Sequence, residues 1–161
     1  MLNHAYIGFG SNLGDRNDHL GMATALLHQR AKVLRVATVV ESVPVDGVDG
    51  DNFLNTVFEC ERVGDPHAFM KMLQMIEIAV GGKVEKLGGA RTCDLDVLLW
   101  GNEKIDLPDL KVPHPRMHQR DFYLIPLCEL VGEERHPVLN MTFSESLSRI
   151  ELQSVIGQAT D

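Results

Sequence analysis

The order of strand and helix signals along this 161-residue chain predicts an α+β fold with a ferredoxin-like βαββαβ core. Four runs rich in β-branched and aliphatic residues are typical of strands, and two stretches between them have apolar residues at helical spacing. Glycine and proline separate these segments. We expect an antiparallel sheet with the two helices on one face, followed by a C-terminal helical extension. The length suits a single domain spanning residues 1–161.

The first half of the chain supplies a strand, a helix and two further strands. Residues 5–10 are predicted as the first strand, and the polar turn that follows leads into a helix over about residues 15–29. Residues 33–43 are rich in β-branched side chains and form the second predicted strand. A loop with many breakers covers residues 44–51, and residues 53–61 form the third strand.

The second half completes the pattern. Asp65 is a predicted N-cap with Pro66 at the first helical position, and this helix runs to about residue 80. A glycine-rich loop leads to a strand within residues 91–101. Residues 103–106 are predicted to pair back on that strand, and three prolines keep residues 107–115 irregular. Helical signals cover residues 116–130, interrupted at Pro126, and residues 143–150; the tail to residue 161 is expected to be loose.

Composition excludes several classes of protein. The formal net charge of −8 argues against a nucleic-acid surface, which needs a basic stripe. No apolar run approaches the roughly 20 residues of a membrane span, and no signal peptide is visible. The three cysteines lie far apart and form no pair of the kind that binds metal. We therefore expect a cytoplasmic monomer that acts on small molecules, with no nucleic-acid or membrane partner.

Two acidic residues dominate the strand at residues 91–101. Strand residues alternate between faces, so Asp94 and Asp96 share one face, with their stems roughly 6–7 Å apart. This spacing suits hard cations about 3.5–4 Å apart that take carboxylate oxygens and waters. Arg91, at the strand entrance, is placed to meet phosphate oxygens. The alternative is a strand end with two solvated acids.

Other polar residues allow two readings each. Gly10 and Gly14 bracket a turn that is either a phosphate loop or purely structural, and it matches neither common phosphate-loop pattern. Gln74 and Glu77 are neighbours on one helix and suit either a ligand site or an ordinary surface.

Aromatic and histidine residues are equally open. Phe53 and Asn55 share a strand face and suit a flat heteroaromatic ring, or Phe53 belongs to the core together with Phe122. His114 and His118 have a spacing that can bind zinc, but the flanking prolines and nearby arginines favour His114 as a phosphate donor. Because Arg91 precedes the acid pair, metal-assisted phosphoryl transfer is the chemistry favoured.

Four segments resemble, in order and spacing, the hydroxymethyldihydropterin pyrophosphokinase family: residues 10–14, 53–55, 91–96 and 112–117. The resemblance covers about residues 5–130. It implies transfer of pyrophosphate from ATP to 6-hydroxymethyl-7,8-dihydropterin in folate biosynthesis, with release of AMP and with two Mg²⁺ ions as cofactor. The alternatives are a pterin- or nucleotide-binding relative with weak or no transferase activity, and a metal phosphohydrolase.

The resemblance also implies roles for individual residues. Asp94 and Asp96 would hold the metal ions, and Arg91 would bind the transferred phosphates, so these three form the expected catalytic set. The expected pterin contacts are Ser42, Val43, Pro44, Val45, Phe53, Asn55, Arg120 and Phe122. The expected ATP contacts are Gln74, Glu77, Lys83, Arg91, Leu98, Lys111 and His114.

The loop over residues 81–91 departs from the family pattern. It is one residue short, it lacks the arginines and the aromatic residue that relatives carry, and Ala90 replaces the usual proline. Lys83 is expected to replace one phosphate-binding cation, as a point charge rather than a guanidinium fork. This loop is therefore the segment in which we expect nucleotide affinity or loop closure to differ from the family.

Overall fold

The computed structural model describes residues 1–45, 47–48, 50–81 and 90–159. It is a mixed α/β fold built on an antiparallel sheet with four α-helices. The strands are β1 Ala5–Ser11, β2 Val33–Val36, β3 Val40–Ser42, β4 Phe53–Cys60, β5 Asp94–Trp100, β6 Ile105–Leu107, β7 Leu110–Val112 and β8 Val155–Gln158. The helices are α1 Arg16–Arg30, α2 Pro66–Gly81, α3 Asp121–Val131 and α4 Phe143–Ser148, with a 3₁₀ turn at Met117–Gln119.

The main sheet places β1 and the acid-bearing strand side by side. Its order is β5-β1-β4-β3-β8, and β2 also pairs with β4. All pairings are antiparallel. Strand β5 thus carries both aspartates next to β1, which has hydrogen-bonded neighbours on both sides.

The two faces of the sheet pack against different helices. Successive residues of β1 point to opposite faces, so Ile7 and Phe9 join α1 and α2 in one apolar cluster, whereas Tyr6 joins a second cluster. The second cluster contains Leu124 of α3 and Phe143 of α4. The helices of the predicted core thus share one face, and α3 covers part of the opposite face.

The N-terminal ends of α1 and α2 show why both helices begin where they do. The Asp15 carboxylate accepts a hydrogen bond from the N–H of Asp18 at 3.0 Å, and Asp65 accepts from the N–H of Ala68 at 2.9 Å. Each bond satisfies an N–H group that lacks a partner within the helix. The Asp65 cap is the one predicted from the sequence.

Five local predictions differ from the structure. Residues 33–43 form two strands rather than one, and the 103–106 segment pairs within the β6–β7 hairpin instead of pairing back on β5. Strand β7 lies inside the stretch predicted to be irregular. Helix α3 continues through Pro126, and the tail predicted to be loose forms β8, which pairs with β3.

No helix among the described residues combines the length and the apolar character needed to cross a membrane.

Candidate active site

Two glycines of β1 lie beside the acid pair. Asp96 pairs with Gly8 and Asp94 pairs with Gly10 across the β1–β5 ladder. On the other side of β1, Gly10 pairs with Asn55 of β4. Because neither glycine has a side chain, other groups approach the backbone closely: a Cβ atom would lie 2.7 Å from Tyr123 Cε1 at Gly8 and 3.2 Å from Asn55 Nδ2 at Gly10.

The acid pair is electrostatically strained. Burial, together with the nearby Asp96 charge, raises the pKa of Asp94 to about 7, although the Arg91 guanidinium acts in the opposite direction. Two carboxylates held on one face of a strand repel each other, and a cation bound between them relieves that repulsion. The acid pair therefore favours the binding of a cation.

Tyr123 of α3 contacts the acid pair from above the sheet. Its hydroxyl donates a hydrogen bond to Oδ2 of Asp96. Burial and the adjacent aspartates keep the pKa of Tyr123 well above its ordinary value, so this hydroxyl stays protonated as a donor. The ring lies directly over Gly8, because a Cβ atom there would come within 2.7 Å of Tyr123 Cε1.

Glu77 of α2 fixes the backbone between the two aspartates. Its Oε2 accepts a hydrogen bond of 2.8 Å from the N–H of Leu95, on the edge of β5 that β1 does not cover. Burial raises the pKa of Glu77, and the Leu95 N–H counteracts part of that rise. Glu77 thus ties helix α2 to the strand that carries the acids.

Asn12 attaches the Arg91 backbone to the end of β1. The N–H of Arg91 donates to Asn12 Oδ1 at 2.8 Å, and the N–H of Asn12 donates to the Arg91 carbonyl at 2.9 Å. The Asn12 amide also donates to the carbonyl of Asp51 at 3.1 Å. Two loops that are distant in sequence are therefore held together beside the acid pair.

A first cavity, of about 260 Å³, collects the residues expected to contact pterin. We call it the Phe53 cavity. Of the expected set, only Pro44 is absent from its walls, which contain Ser42, Val43, Val45, Phe53, Asn55, Arg120 and Phe122. Ser42 Oγ donates to Asn55 Oδ1 at 2.6 Å, which fixes the plane of the buried amide. The cavity thus offers an aromatic surface beside an oriented amide.

A second cavity, of about 450 Å³, lies on the other side of the acids, and we call it the Lys111 cavity. It contains Gln74, Glu77, Arg91, Lys111 and His114 from the expected ATP contacts. Burial lowers the pKa of His114, partly opposed by Asp96, so the ring is neutral near pH 7. Because its Nδ1 accepts from the N–H of Arg116 at 3.2 Å, the proton of the neutral ring resides on Nε2.

One of the expected ATP contacts, Leu98, is absent from the walls of this cavity. Leu98 is fully buried in the second apolar cluster, and its carbonyl accepts a hydrogen bond of 2.9 Å from the N–H of His114. Lys83 lies outside the described residues. The ATP contacts of both residues stay predictions.

The two cavities meet at Arg91 and Asp94, which line both. A ring held against Phe53 and a polyanion held near Lys111 and His114 would approach each other at this junction. The arrangement brings a cationic side chain and a carboxylate to the same point, as transfer of a charged group between two ligands requires.

The donor set fits Mg²⁺ rather than a transition metal. Within the described ranges, no group of three or more His, Cys, Asp or Glu side chains could hold a metal ion, and the acid pair would offer two carboxylates. Mg²⁺ commonly keeps several waters and binds one or two carboxylates together with substrate phosphates. Two carboxylates beside the junction of the two cavities suit this mode of Mg²⁺ binding.

Sequence reasoning missed the contributions of Gly8, Tyr123 and Asn12. A glycine inside a strand pattern signals a close approach by another group, and Gly8 shows that signal. Tyr123 lies three residues after Arg120, which places both on one side of the α3 start. Asn12 was visible only as part of a turn, because its partners are 39 and 79 residues away.

Comparison with known proteins gives a consistent family. The family model described as 7,8-dihydro-6-hydroxymethylpterin-pyrophosphokinase matches residues 6–132. A 2-amino-4-hydroxy-6-hydroxymethyldihydropteridine pyrophosphokinase of Bacillus subtilis is 44% identical over 132 residues, which cover 81% of this chain and 79% of that protein. The protein of the same name from Aquifex aeolicus is 34% identical over 140 residues, covering 87% of this chain and 88% of its own.

Solved structures show the same fold at low sequence identity. A crystal structure of an HPPK-DHPS protein in complex with substrates superimposes with a TM-score of 0.72 at 16% identity. The match covers 92% of this chain and 43% of that chain. It therefore supports the fold alone, whereas the sequence matches identify the family.

Proposed function

Because the chain belongs to the 7,8-dihydro-6-hydroxymethylpterin-pyrophosphokinase family, it is a diphosphotransferase of folate synthesis, and we propose that its acid pair joins a pterin site to an ATP site. The reaction moves pyrophosphate from ATP to the hydroxymethyl group of the dihydropterin. Of the three activities that the sequence left open, family membership supports this one. The observation that supports the site assignment is the junction of the two cavities at Arg91 and Asp94.

The Phe53 cavity is the proposed pterin site. Phe53 and Phe122 provide aromatic surfaces for the flat ring, and the Asn55 amide, oriented by Ser42, hydrogen-bonds its edge. Arg120 lies 5.6 Å from the centroid of Phe122 and adds positive charge at the wall. The pterin would thus be oriented with its hydroxymethyl group toward the acid pair.

The Lys111 cavity is the proposed ATP site. Arg91, Lys111 and the neutral His114 supply donors to the phosphates, and Gln74 lies on the same wall. Arg91 is the cation nearest the transferred group, because it lines both cavities. We retain Lys83, Leu98 and Pro44 as predicted substrate contacts of the same reaction.

Asp94 and Asp96 are the proposed ligands of two Mg²⁺ ions. Bound Mg²⁺ supplies neutralisation of phosphate charge and polarisation of the attacking hydroxyl. The protein's own contribution is to keep the carboxylates in place: Glu77 holds the Leu95 backbone, and Tyr123 donates to Asp96. Positioning by these residues replaces a dedicated general base, which phosphoryl transfer of this kind does not require.

We further propose that residues 1–161 act as one ferredoxin-like domain and as a cytoplasmic monomer. The order β1-α1-β2-β3-β4-α2-β5, in which β2 and β3 replace the second predicted strand and β1 lies between β5 and β4, supports the ferredoxin-like assignment. The three cysteines are free thiols, and Cys60 and Cys93 are buried, which suits a reducing compartment. Sedimentation analysis of the full chain tests the monomer.

An assay for AMP with ATP, Mg²⁺ and 6-hydroxymethyl-7,8-dihydropterin tests the function. We expect AMP to appear only when the pterin is present. Phosphate release without pterin would instead indicate a phosphohydrolase, and tight pterin binding without turnover would indicate a binding protein.

A further inference from the structure

A carboxylate that takes no part in the reaction derived above lies in the wall of the Lys111 cavity. It belongs to Asp109, in the turn between β6 and β7, and it is exposed. The sequence did not predict Asp109 as an ATP contact. An anionic side chain repels the phosphates of ATP, so its place in the proposed ATP site calls for a different part of the nucleotide.

Helix α2 orients the Asp109 carboxylate. His67 Nε2 lies 2.8 Å from Asp109 Oδ2, and an ionised carboxylate can only accept, so the ring donates this hydrogen bond. The bond from His67 lowers the pKa of Asp109, which keeps the group ionised near pH 7. A carboxylate has about four acceptor sites, so the bonds from His67 and from its own backbone leave capacity for a ligand.

Helix α2 also gives the distance between the two ends of the Lys111 cavity. Glu77 binds the N–H of Leu95 beside the acid pair, and His67 binds Asp109. These two residues of α2 are ten positions apart, which corresponds to about 15 Å along the helix axis. The acid pair and Asp109 therefore lie toward opposite ends of the cavity.

The position of the transferred group sets the direction in which ATP would lie. The pyrophosphate consists of the β- and γ-phosphates, which have to reach the junction of the two cavities at Arg91 and Asp94. The α-phosphate and the nucleoside then extend from this junction toward the other end. Apolar side chains suited to a flat base line that end: Met70, Pro108 and Leu110.

The ribose carries the donors that suit Asp109. Its 2′- and 3′-hydroxyls are neighbours, and a carboxylate accepts strong, charge-assisted hydrogen bonds from such groups. An acidic side chain binds ribose in the same way in dinucleotide-binding folds. We propose that Asp109, oriented by His67, binds the ribose hydroxyls of ATP and makes the enzyme selective for ribonucleotides. This inference rests on the proposed function of the Lys111 cavity as the ATP site.

Calorimetric titration of the full chain with Mg²⁺, in the absence of pterin, tests the selectivity. The probes are ATP, 2′-deoxy-ATP and 3′-deoxy-ATP. We expect at least one deoxynucleotide to bind about tenfold more weakly than ATP, because a hydrogen bond to a charged group is lost. The weaker of the two deoxynucleotides identifies the hydroxyl that Asp109 binds.

Variants of the hairpin and of α2 locate the source of the selectivity. Asp109→Ala should weaken ATP binding about tenfold and bring the Kd ratio of deoxynucleotide to ATP to about one. Asp109→Asn should retain part of the ratio, because the amide oxygen still accepts without the charge. His67→Phe should lower the ratio without abolishing it. Asp106→Asn, the control on the same hairpin, releases Lys111 and should change all three affinities alike, leaving the ratio unaltered.

Two results would overturn the proposal: equal binding of all three nucleotides by the wild-type protein, or an unaltered ratio in Asp109→Ala. Purine riboside triphosphate, which lacks the 6-amino group, is a fourth probe. If Asp109→Ala altered discrimination against this probe instead, the carboxylate would bind the base and the ribose assignment would be wrong. A wild-type protein that bound no ATP would overturn the ATP site together with this proposal, whereas ATP binding without selectivity would overturn this proposal alone.

Discussion

We expect the reaction, rather than the fold, to need the charge of Asp96. Its proximity raises the pKa of Asp94, so neutralising Asp96 relieves repulsion in the folded state. We expect Asp96→Asn to lower kcat by about 10³-fold or more, because a metal-binding charge is lost. The unfolding midpoint should stay the same or rise, because the new amide oxygen can still accept from Tyr123. The AMP assay and a thermal melt measure the two effects.

If Asp96→Asn retained near wild-type turnover, that result would contradict the two-metal assignment. A large drop in the unfolding midpoint would show instead that Asp96 is a structural residue. Asp18→Asn serves as the matched control, because that carboxylate is exposed and lies outside both site cavities.

Gly8 is required by close packing rather than by backbone conformation. A Cβ atom at this position would lie 2.7 Å from Tyr123 Cε1 and 3.4 Å from Leu98 Cδ1. Gly8→Ala should therefore destabilise the protein by about 1–3 kcal/mol, since both neighbours belong to a packed core. It should also lower kcat, because Tyr123 would shift away from Asp96. Urea unfolding and the AMP assay measure these changes.

Gly21→Ala is the control for the same chemical change. Apart from the neighbouring backbone of α1, no atom of the described residues lies within 4 Å of a Cβ atom built at Gly21, which is in the interior of α1. Alanine there should stabilise the protein by about 0.5–1 kcal/mol, because it restricts the unfolded chain. If both variants behaved alike, the close contact at Gly8 would have no energetic consequence.

At the residue scale, the sequence predicted which side chains share a chemical role better than it predicted which side chains touch. The shared face of Asp94 and Asp96 follows from strand alternation alone, and it is present in the structure. The bond from Tyr123 to Asp96 joins residues 27 positions apart on a helix and a strand. No local pattern encodes such a contact, because it depends on how α3 is placed on the sheet.

At the element scale, β8 holds the start of α3. Asp121 is buried in the first turn of α3 and accepts three hydrogen bonds from Ser154 and Val155. The N–H of Val43 in turn donates to the carbonyl of Ser154 at 2.9 Å. The C-terminal strand thus connects two walls of the Phe53 cavity, the one that begins at Arg120 and the one that contains Val43.

Asp121→Asn should weaken this connection. We expect the free energy of unfolding to fall by about 2 kcal/mol, because a buried, charge-assisted hydrogen-bond network is lost. The KM for pterin should rise several-fold with little change in kcat, because Arg120 and Phe122 flank the altered residue. Urea unfolding and steady-state kinetics at saturating ATP separate the two effects.

Glu145→Gln is the matched control, since it neutralises an exposed carboxylate in the first turn of α4. It should alter stability by about 0.5 kcal/mol or less and leave the KM for pterin unchanged. An unaltered KM in Asp121→Asn, despite lost stability, would show that the β8 connection does not position the pterin site.

The predicted elements were correct where local signals were strong. The capped, periodic helices α1 and α2 begin within a residue or two of their predicted starts. Strand β8 was missed because an exposed run such as Ile156 and Gly157 has little periodicity of its own. It forms a strand because it pairs with the edge of β3, and such pairing is decided by tertiary structure.

At the scale of the whole molecule, the site exists only where distant segments meet. The Phe53 cavity draws residues from β1, β3, β4, β5 and α3, and the Lys111 cavity draws from α2, β5 and the β6–β7 hairpin. The sequence could suggest which residue types belong to the site. Their division between two cavities that share Arg91 and Asp94 follows from the sheet order, which sequence periodicity does not specify.

Global stability should depend on pH through His136. Burial, with the nearby His118 charge, lowers the pKa of His136 from 6.5 to about 4. Its Nδ1 accepts hydrogen bonds from the N–H groups of Val138 and Leu139, both at 3.1 Å, which protonation would break. Between these pKa values the unfolded chain binds more protons at this site than the native chain, so His136 lowers the free energy of unfolding as pH falls; Asp94, whose pKa is raised to about 7, acts in the opposite direction over the same range. The loss from this group is about 3 kcal/mol between pH 6.5 and 4.

His136→Asn should flatten that pH dependence, because a neutral amide oxygen can accept the same backbone bonds without titrating. His28→Asn, on an exposed helix end, should leave the slope unaltered. Glu59 is a separate source of acid sensitivity: hydrogen bonds from Arg35 lower its pKa below 4.5, so its contribution is lost only below that pH. Relative to the wild-type protein, the variant should therefore gain stability progressively as pH falls from 6.5 to 4.5, and it should keep the Glu59 decline below about pH 4.5. Urea titrations of both proteins from pH 4 to 8 measure this difference, and a difference that stayed constant between pH 6.5 and 4.5 would exclude His136 as its source.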